Sequence, residues 1–426
     1  MASPAVSPTE WGMTQTLRPC GDLNVRCLFG TNTSTVVAMH EGDSVGANVK
    51  RIRNQRGMTQ GQLARAATVG RAHLSQVENG HAAASTVWIG AVATALGVDA
   101  AVLYGKDQPE QLLDVLPVLR RALAATDLMD PDLEPQPIEQ LRAQSAQVAR
   151  WRKDTAYGKV IGALPDLVDQ LLISGNGVGE PAYAMLTDAY RAANTVAHKL
   201  GYSDLSLTAT ERMEWAATRS GDPLLLATTH YVKAATLSRV GAPKQALRLL
   251  NRAMADIESL VDEDATAAAV YSILHMRAGT IAAAMGDADT SRSHLAEAAQ
   301  LARHFGPERI VYDTPVGSTN IALYQVCAEV DLGEAGKALE VAKATRFPDR
   351  FPKERKGYFW LDTARAYLLA GEVDEAIGAL YESRLAAPEH FRSSSSAKNI
   401  IKTAAVQQRR ASESLRSLSN YAGLRD

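Results

Sequence analysis

Between Val69 and Gly80, Leu74 and Val77 are apolar at helical spacing, and Arg71, Ala72, His73 and Gln76 fall away from them. That set is suited to recognition rather than to bond breaking. An arginine can give two parallel hydrogen bonds to guanine O6 and N7, a glutamine amide matches adenine, and an alanine methyl packs on thymine. A helix of this width fits the major groove of double-stranded DNA, so all four positions are candidates for reading base edges. Motifs for catalysis are missing from the sequence. It has no Gly-Lys-Ser phosphate loop, His-Glu-x-x-His, Gly-x-Ser-x-Gly or Cys-x-x-Cys, and the reading is of a non-enzyme without a cofactor. Gly175-Asn-Gly-Val-Gly179 has no strand before it and reads as a link between two helices. His198, His230, His275, His294 and His304 lack metal-ligand spacing, so no metal site is expected.

The elements that would hold the recognition set are short helices. Val45, Val49 and Ile52 stripe the first, and Thr59 caps a second that carries Leu63, Ala64 and Ala67. A third ends at Gly80, where a left-handed cap is wanted. Ser85 or Thr86 opens a fourth with Trp88, Ile89, Val92 and Leu96 on one face, stopped by Gly97. Five helices between residues 44 and 105 make one compact domain. Its six Lys and Arg residues face only Glu78 and Asp99, a net charge of +4 on a chain whose total is −2. A small basic head on an acidic body fits a polyanion-binding module. Lys50, Arg51, Arg56 and the Asn79 backbone amide are candidate phosphate contacts, which add affinity and salt dependence but little sequence discrimination.

The stretch Asn48-Val-Lys-Arg-Ile-Arg-Asn-Gln-Arg-Gly-Met-Thr-Gln-Gly-Gln-Leu-Ala, followed by Val69-Gly-Arg-Ala-His-Leu-Ser-Gln-Val-Glu-Asn-Gly80, resembles the phage-repressor or XRE family of helix-turn-helix domains. The resemblance covers about 60 residues. It implies that Arg71, Ala72 and Gln76 occupy base-reading positions and that Gln60 gives an amide hydrogen bond to a phosphate, aided by the positive end of its helix. It also implies a structural ion pair between Arg53 and Glu78.

The 426 residues exceed one ordinary core, and their 22% charged and 46% hydrophobic content is that of a folded multidomain protein. Residues 1–43 read as a poorly ordered extension, with Met39 an alternative start. After Asp107 the sequence turns to Ala- and Leu-rich helical segments, with no alternating run long enough to suggest a sheet. Pro131 to Pro137 break the first of them. Helix, small-residue turn and helix recur around Gly241, Gly286, Gly333 and Gly371, and more weakly at Gly201, at a spacing of roughly 40 residues. The clearest copy carries Trp360, Ala364, Tyr367, Gly371, Ala376, Leu380 and Pro388, and resembles a tetratricopeptide repeat. The expected fold is therefore all-α: the head at 44–105, an α-solenoid of helical hairpins at 106–390 and a capping helix or tail at 391–426.

A solenoid of this kind offers a concave face, on which Arg191, Tyr231, Asn320, Tyr324 and Arg365 are candidate effector contacts. The two-part architecture resembles the peptide-responsive regulators of Gram-positive bacteria. That resemblance implies a homodimer on an inverted repeat of double-stranded DNA, with a peptide, small-molecule or protein effector in the groove. The alternative is an interaction adaptor in which the solenoid captures a partner and the head only tethers it to DNA. Cys20, Cys27 and Cys327 form neither a disulfide framework nor a zinc site, which points to a reducing cytoplasm. No apolar run is long enough to span a bilayer, and no membrane partner is expected.

Overall fold

The computed structural model describes residues 44–105, 116–124, 132–154, 156–199, 202–305, 308–408 and 412–424. The extension at 1–43, with Met39, Cys20 and Cys27, lies outside the described residues, as do Pro131 and Gly201. The described residues group into one compact unit.

The head is built of α1 (Val45–Gln55), α2 (Gln60–Ala67), α3 (Arg71–Glu78), α4 (Thr86–Ala95) and α5 (Ala100–Tyr104). Caps set these limits. Ser44 Oγ accepts from the Ala47 amide at 3.2 Å, and Ser85 Oγ from that of Trp88 at 3.3 Å. At α2, Thr59 Oγ1 accepts from the Gln62 amide while Gln62 Oε1 accepts from the Thr59 amide at 2.8 Å, a reciprocal box. Val49, Leu63, Leu74, Trp88, Val92, Leu96 and Leu103 close a core of the head's own.

The body begins with α6 (Leu116–Ala124), α7 (Ile138–Lys153), α8 (Tyr157–Val178), α9 (Glu180–Lys199) and α10 (Ser203–Arg219). Helical hairpins follow: α11 (Pro223–Arg239) with α12 (Pro243–Ile257), α13 (Ala265–Ala284) with α14 (Ala288–Phe305), α15 (Ser318–Asp331) with α16 (Ala335–Ala344), and α17 (Lys353–Ala370) with α18 (Val373–Ala386). Each first helix packs on the next first helix, so α11, α13, α15 and α17 make one layer and their partners the other. The apolar, Ala-rich α13 is buried nearly all round at the centre of this stack. Three final helices, α19 (Pro388–Ser393), α20 (Ser395–Gln407) and α21 (Glu413–Tyr421), share a core with α17 and α18.

Two local features depart from the sequence reading. Residues 175–178 are the last turns of α8 and not a connection; only Gly179 leaves the helix. A Cβ at Gly175 would stand 2.8 Å from the Tyr183 ring, so any larger residue would displace that ring. The body also holds a small antiparallel hairpin, β1 (Arg309–Val311) and β2 (Thr314–Val316), in which Arg309 pairs with Val316. Tyr312 and Asp313 both take positive φ, 43° and 56°, as a tight two-residue hairpin turn requires.

Candidate nucleic-acid interface and the inner groove

Helix α3 is held in place by charge. Arg53 in α1 donates from Nε and Nη2 to the two Glu78 carboxylate oxygens at 2.6 and 2.8 Å, and both side chains are buried. Such a fork-on-fork pair fixes orientation as well as distance. Gln60 Nε2 donates to the same carboxylate at 2.9 Å, so the side chain expected at a phosphate also ties α2 to the end of α3. Lys50, Arg51 and Arg56 in and after α1 are exposed, and Arg51 is held by Asn48 Oδ1 at 3.2 Å. Asn79 is exposed at the far end of α3.

The four expected base-reading positions divide. Arg71 and Ala72 are exposed. His73 is only 3% exposed, edge-on to the Trp88 ring with centroids 5.8 Å apart. Its neighbours beyond the head are Asp331 and Arg365, and burial pushes its pKa down to about 4. Gln76 is half-buried, its Oε1 covered and without a hydrogen-bond partner. An outward His73 is thus corrected: in this arrangement the body supplies a second wall over α3.

That wall is made by the tips of the helical hairpins. A Cβ on Gly286, between α13 and α14, would stand 3.2 Å from the Gly70 amide nitrogen at the start of α3. One on Gly333, between α15 and α16, would stand 3.6 Å from Gln76 Oε1. At α4, a Cβ on Gly90 would stand 1.9 Å from the Arg239 carbonyl oxygen, so only glycine allows this approach. Polar contacts complete the seam. Ser85 Oγ donates to Asp331 Oδ2 at 2.8 Å, Thr94 Oγ1 to the Val240 carbonyl at 3.1 Å, and Gln407 Nε2 in α20 to the Gly80 carbonyl at 2.8 Å.

Two of the five expected effector contacts have other occupations. Arg365 is 1% exposed; it donates to the Ala83 carbonyl at 2.9 Å and pairs with Asp331 and Asp362, which makes it part of the seam. Arg191 grips the β-hairpin, donating to the Tyr312 carbonyl and, at 2.8 Å, to Thr314 Oγ1. The other three meet on the inner layer. Tyr231 and Tyr324 share a short hydroxyl–hydroxyl hydrogen bond, and Asn320 Oδ1 accepts from Arg355 Nε at 2.9 Å.

Sequence reasoning missed the cations around them. Arg277 lies over the Tyr231 ring at 4.3 Å and Arg355 over that of Tyr324 at 5.2 Å, while Lys199 lies 4.8 Å from the Tyr358 ring centre. The signal available was their place on the face of each first helix shared with Tyr231 and Tyr324. Of the scattered histidines, His275 and His294 meet with their Nδ1 atoms 2.9 Å apart, and His230 Nε2 meets Glu214 at 2.9 Å. The side chain of His304 lies outside the described residues. Among the described residues no group of three or more His, Cys, Asp or Glu side chains is placed to hold a metal ion, and no helix is long and apolar enough to cross a membrane.

Comparison with known proteins adds a direct finding for the head. A family model described as a helix-turn-helix domain matches residues 44–103. No curated protein matches the chain in sequence. A solved structure, PlcR of Bacillus thuringiensis in complex with the peptide PapR7 and DNA, is similar over 62% of this chain and 95% of its own, at 15% identity and a TM-score of 0.27. The five short helices, the Arg53–Glu78 fork and the family match agree: the chain carries a helix-turn-helix domain at residues 44–103, followed by a predominantly helical body.

Proposed function

We propose that this protein is a sequence-specific DNA-binding transcription regulator whose helical body dimerises, binds an effector and controls access to the recognition helix. The observation that carries the reading is the setting of α3. A buried bidentate ion pair and the Gln60 amide fix it to α1 and α2, while Arg71 and Ala72 at its start stay exposed beside a basic α1. Rigid placement of a short helix beside phosphate-binding cations is what base readout needs. In a dimer, two such helices would meet successive major grooves about 34 to 36 Å apart. The arrangement described here is then the closed one, because hairpin tips stand against Gly70 and Gln76 and half-cover them. An effector that favours an undocked head would raise DNA affinity by its preference between the two states.

The test is genome-wide capture of DNA by the purified full chain, followed by mobility shifts on the recovered sites across a salt series. A shared palindrome bound far more tightly than bulk DNA, and lost in Arg71→Ala, supports the regulator. Only salt-labile, sequence-blind binding, with function surviving Arg71→Ala and Gln76→Ala, moves the reading to the adaptor.

A further inference from the structure

The inner layer of the body gathers more positive charge than it neutralises. Arg239 ends α11, Arg277 lies in α13, Arg355 begins α17, and Lys199 at the end of α9 reaches across to meet them. Arg277, Arg355 and Lys199 form a ladder with the tyrosines. The Arg277 guanidinium carbon is 4.3 Å from the Tyr231 ring centre and 5.7 Å from that of Tyr324. That of Arg355 is 5.2 Å from Tyr324 and 5.8 Å from Tyr358, and Lys199 Nζ closes the row at 4.8 Å from Tyr358. Against these four cations stands Glu354, which accepts from Lys199 at 3.2 Å. Among the described residues, Arg239, Arg277 and Arg355 make no ion pair. Their hydrogen bonds go to neutral groups: Thr236 Oγ1 for Arg239 at 2.8 Å, Asn320 Oδ1 for Arg355 at 2.9 Å and the Tyr324 hydroxyl for Arg277 at 3.5 Å. Arg277 keeps part of its surface in contact with solvent, yet its Nε is fully covered and has no partner.

Cations set deep in protein without carboxylates are costly, and attraction to tyrosine faces offsets only part of that cost. Burial and the neighbouring Arg277 push Arg239 down to about 10, and burial with Arg239, Lys199 and Arg277 around it holds His198 well below its ordinary value. Burial leads in both and the neighbouring cations add to it, while against burial the tyrosines raise Arg277 and Arg355, and the tyrosines with Glu354 raise Lys199. The two most deeply buried arginines pair with carboxylates, Arg53 with Glu78 and Arg365 with Asp331, and the half-buried Arg191 is satisfied by oxygens of the β-hairpin. Arg277 and Arg355 have neither a carboxylate nor a full set of acceptors, and the covered Arg277 Nε has no partner, which suits the pair to an anionic ligand.

We propose that Arg277, Arg355 and Lys199 form a binding site for a ligand carrying a multiply charged oxyanion group, a phosphate ester or a polycarboxylate. The guanidinium forks match either oxyanion in two-bond geometry, and the tyrosine rings hold them flat for it. This deepens the effector reading by naming the ligand's charge. It does not depend on DNA binding, since anion capture is measured without DNA.

The experiment is calorimetric titration of the full chain with sodium pyrophosphate and, separately, with citrate, against sodium chloride at matched ionic strength. The expected result is saturable one-to-one binding of at least one of the two, weakened tenfold or more by Arg277→Gln and by Arg355→Gln, and unchanged in a Lys244→Gln/Arg248→Gln variant at exposed positions of α12. Preference for pyrophosphate identifies the phosphate source, and preference for citrate the carboxylate source. Thermal melting guards against misfolding. Arg277→Gln should melt no lower than wild type without anion and should lose the anion-induced rise. Binding of neither probe above chloride overturns the site. So does binding that survives both Arg277→Gln and Arg355→Gln.

Discussion

Ser85, the N-cap of α4 in the head, donates from Oγ to Asp331 Oδ2 at 2.8 Å, across 246 positions of sequence. The same carboxylate pairs with Arg365, whose Nε donates to the Ala83 carbonyl at 2.9 Å. One buried charge pair in the body thus holds the loop that leads from the recognition helix into α4. Because Arg365 and Asp331 are almost fully enclosed, their pairing is only as good as its completeness.

Removing the arginine should therefore loosen the head. Arg365→Met leaves the Asp331 carboxylate buried beside Ser85 alone and strands the Ala83 carbonyl, a loss of about 3 to 5 kcal/mol for a broken buried pair. The expected outcome is hydrogen exchange of α3 and α4 amides at least roughly tenfold faster, with the α13 and α14 amides unchanged. Uniform acceleration through the body would instead make Arg365 a general core residue. Adding Asp331→Asn should recover part of the loss, since the second change removes the stranded charge.

Gly90 gives a cleaner way to part head from body. Alanine inside α4 favours the helix by about 1 kcal/mol over glycine, so the head itself gains. The added methyl would stand 1.9 Å from the Arg239 carbonyl, which lies on fixed backbone, so docking cannot persist unchanged. Gly90→Ala is expected to raise affinity for the captured DNA sites, measured by fluorescence anisotropy at fixed salt. Gly378→Ala in α18, with nothing within 4 Å of the new carbon, is the control and should bind as wild type. Equal affinity of the two variants would mean that docking does not restrain DNA binding.

Much of the head was legible in the sequence because its signals are local. Thr59 and Ser85 cap the helices that their positions imply, and Leu63, Leu74, Trp88 and Leu96 supply the apolar faces. The turns at Gly241, Gly286, Gly333 and Gly371 likewise fall between paired helices. What escaped is long-range. No periodicity announces that Gly286 and Gly333 will abut α3, or that Arg365 will meet Ala83 from 282 positions away. The β-hairpin escaped for another reason. Its turn is Tyr312-Asp313, without the Asn-Gly or Gly-containing pair that usually marks positive φ at both positions. Once formed, it takes up Arg191, which the sequence alone leaves free for a ligand.

The Arg53–Glu78 fork should prove structural by a double-mutant cycle. Arg53→Met leaves Glu78, whose side chain is fully buried, paired only with Gln60, and should destabilise the head by about 3 to 5 kcal/mol. Glu78→Gln alone is expected to be costly too, while the double variant should fall short of the sum by more than about 1 kcal/mol. DNA affinity should drop in both single variants although neither residue belongs to the base-reading set. Additive losses would show that the two side chains act independently.

Acidification should open the seam at His73. Burial, reinforced by Arg365 and opposed by Asp331, holds this imidazole at about 4 against an ordinary 6.5, with Gln76 and Trp88 as its neutral neighbours. A histidine whose folded pKa is depressed must stay neutral while docked. Its contribution is therefore fully present above pH 6.5 and is lost as pH falls from 6.5 towards about 4, at roughly 1.4 kcal/mol per pH unit once the undocked form is protonated. The whole effect amounts to about 3 kcal/mol. His198, His275 and His390 are depressed as well, so total stability against pH reports all of them together. The diagnostic is the difference between wild type and His73→Phe, which keeps an aromatic ring against Trp88 and removes the titration. Exchange protection of α3 should fall with pH between 6.5 and 4 in wild type more steeply than in the variant. Parallel profiles would show that His73 does not sense the docking of the head.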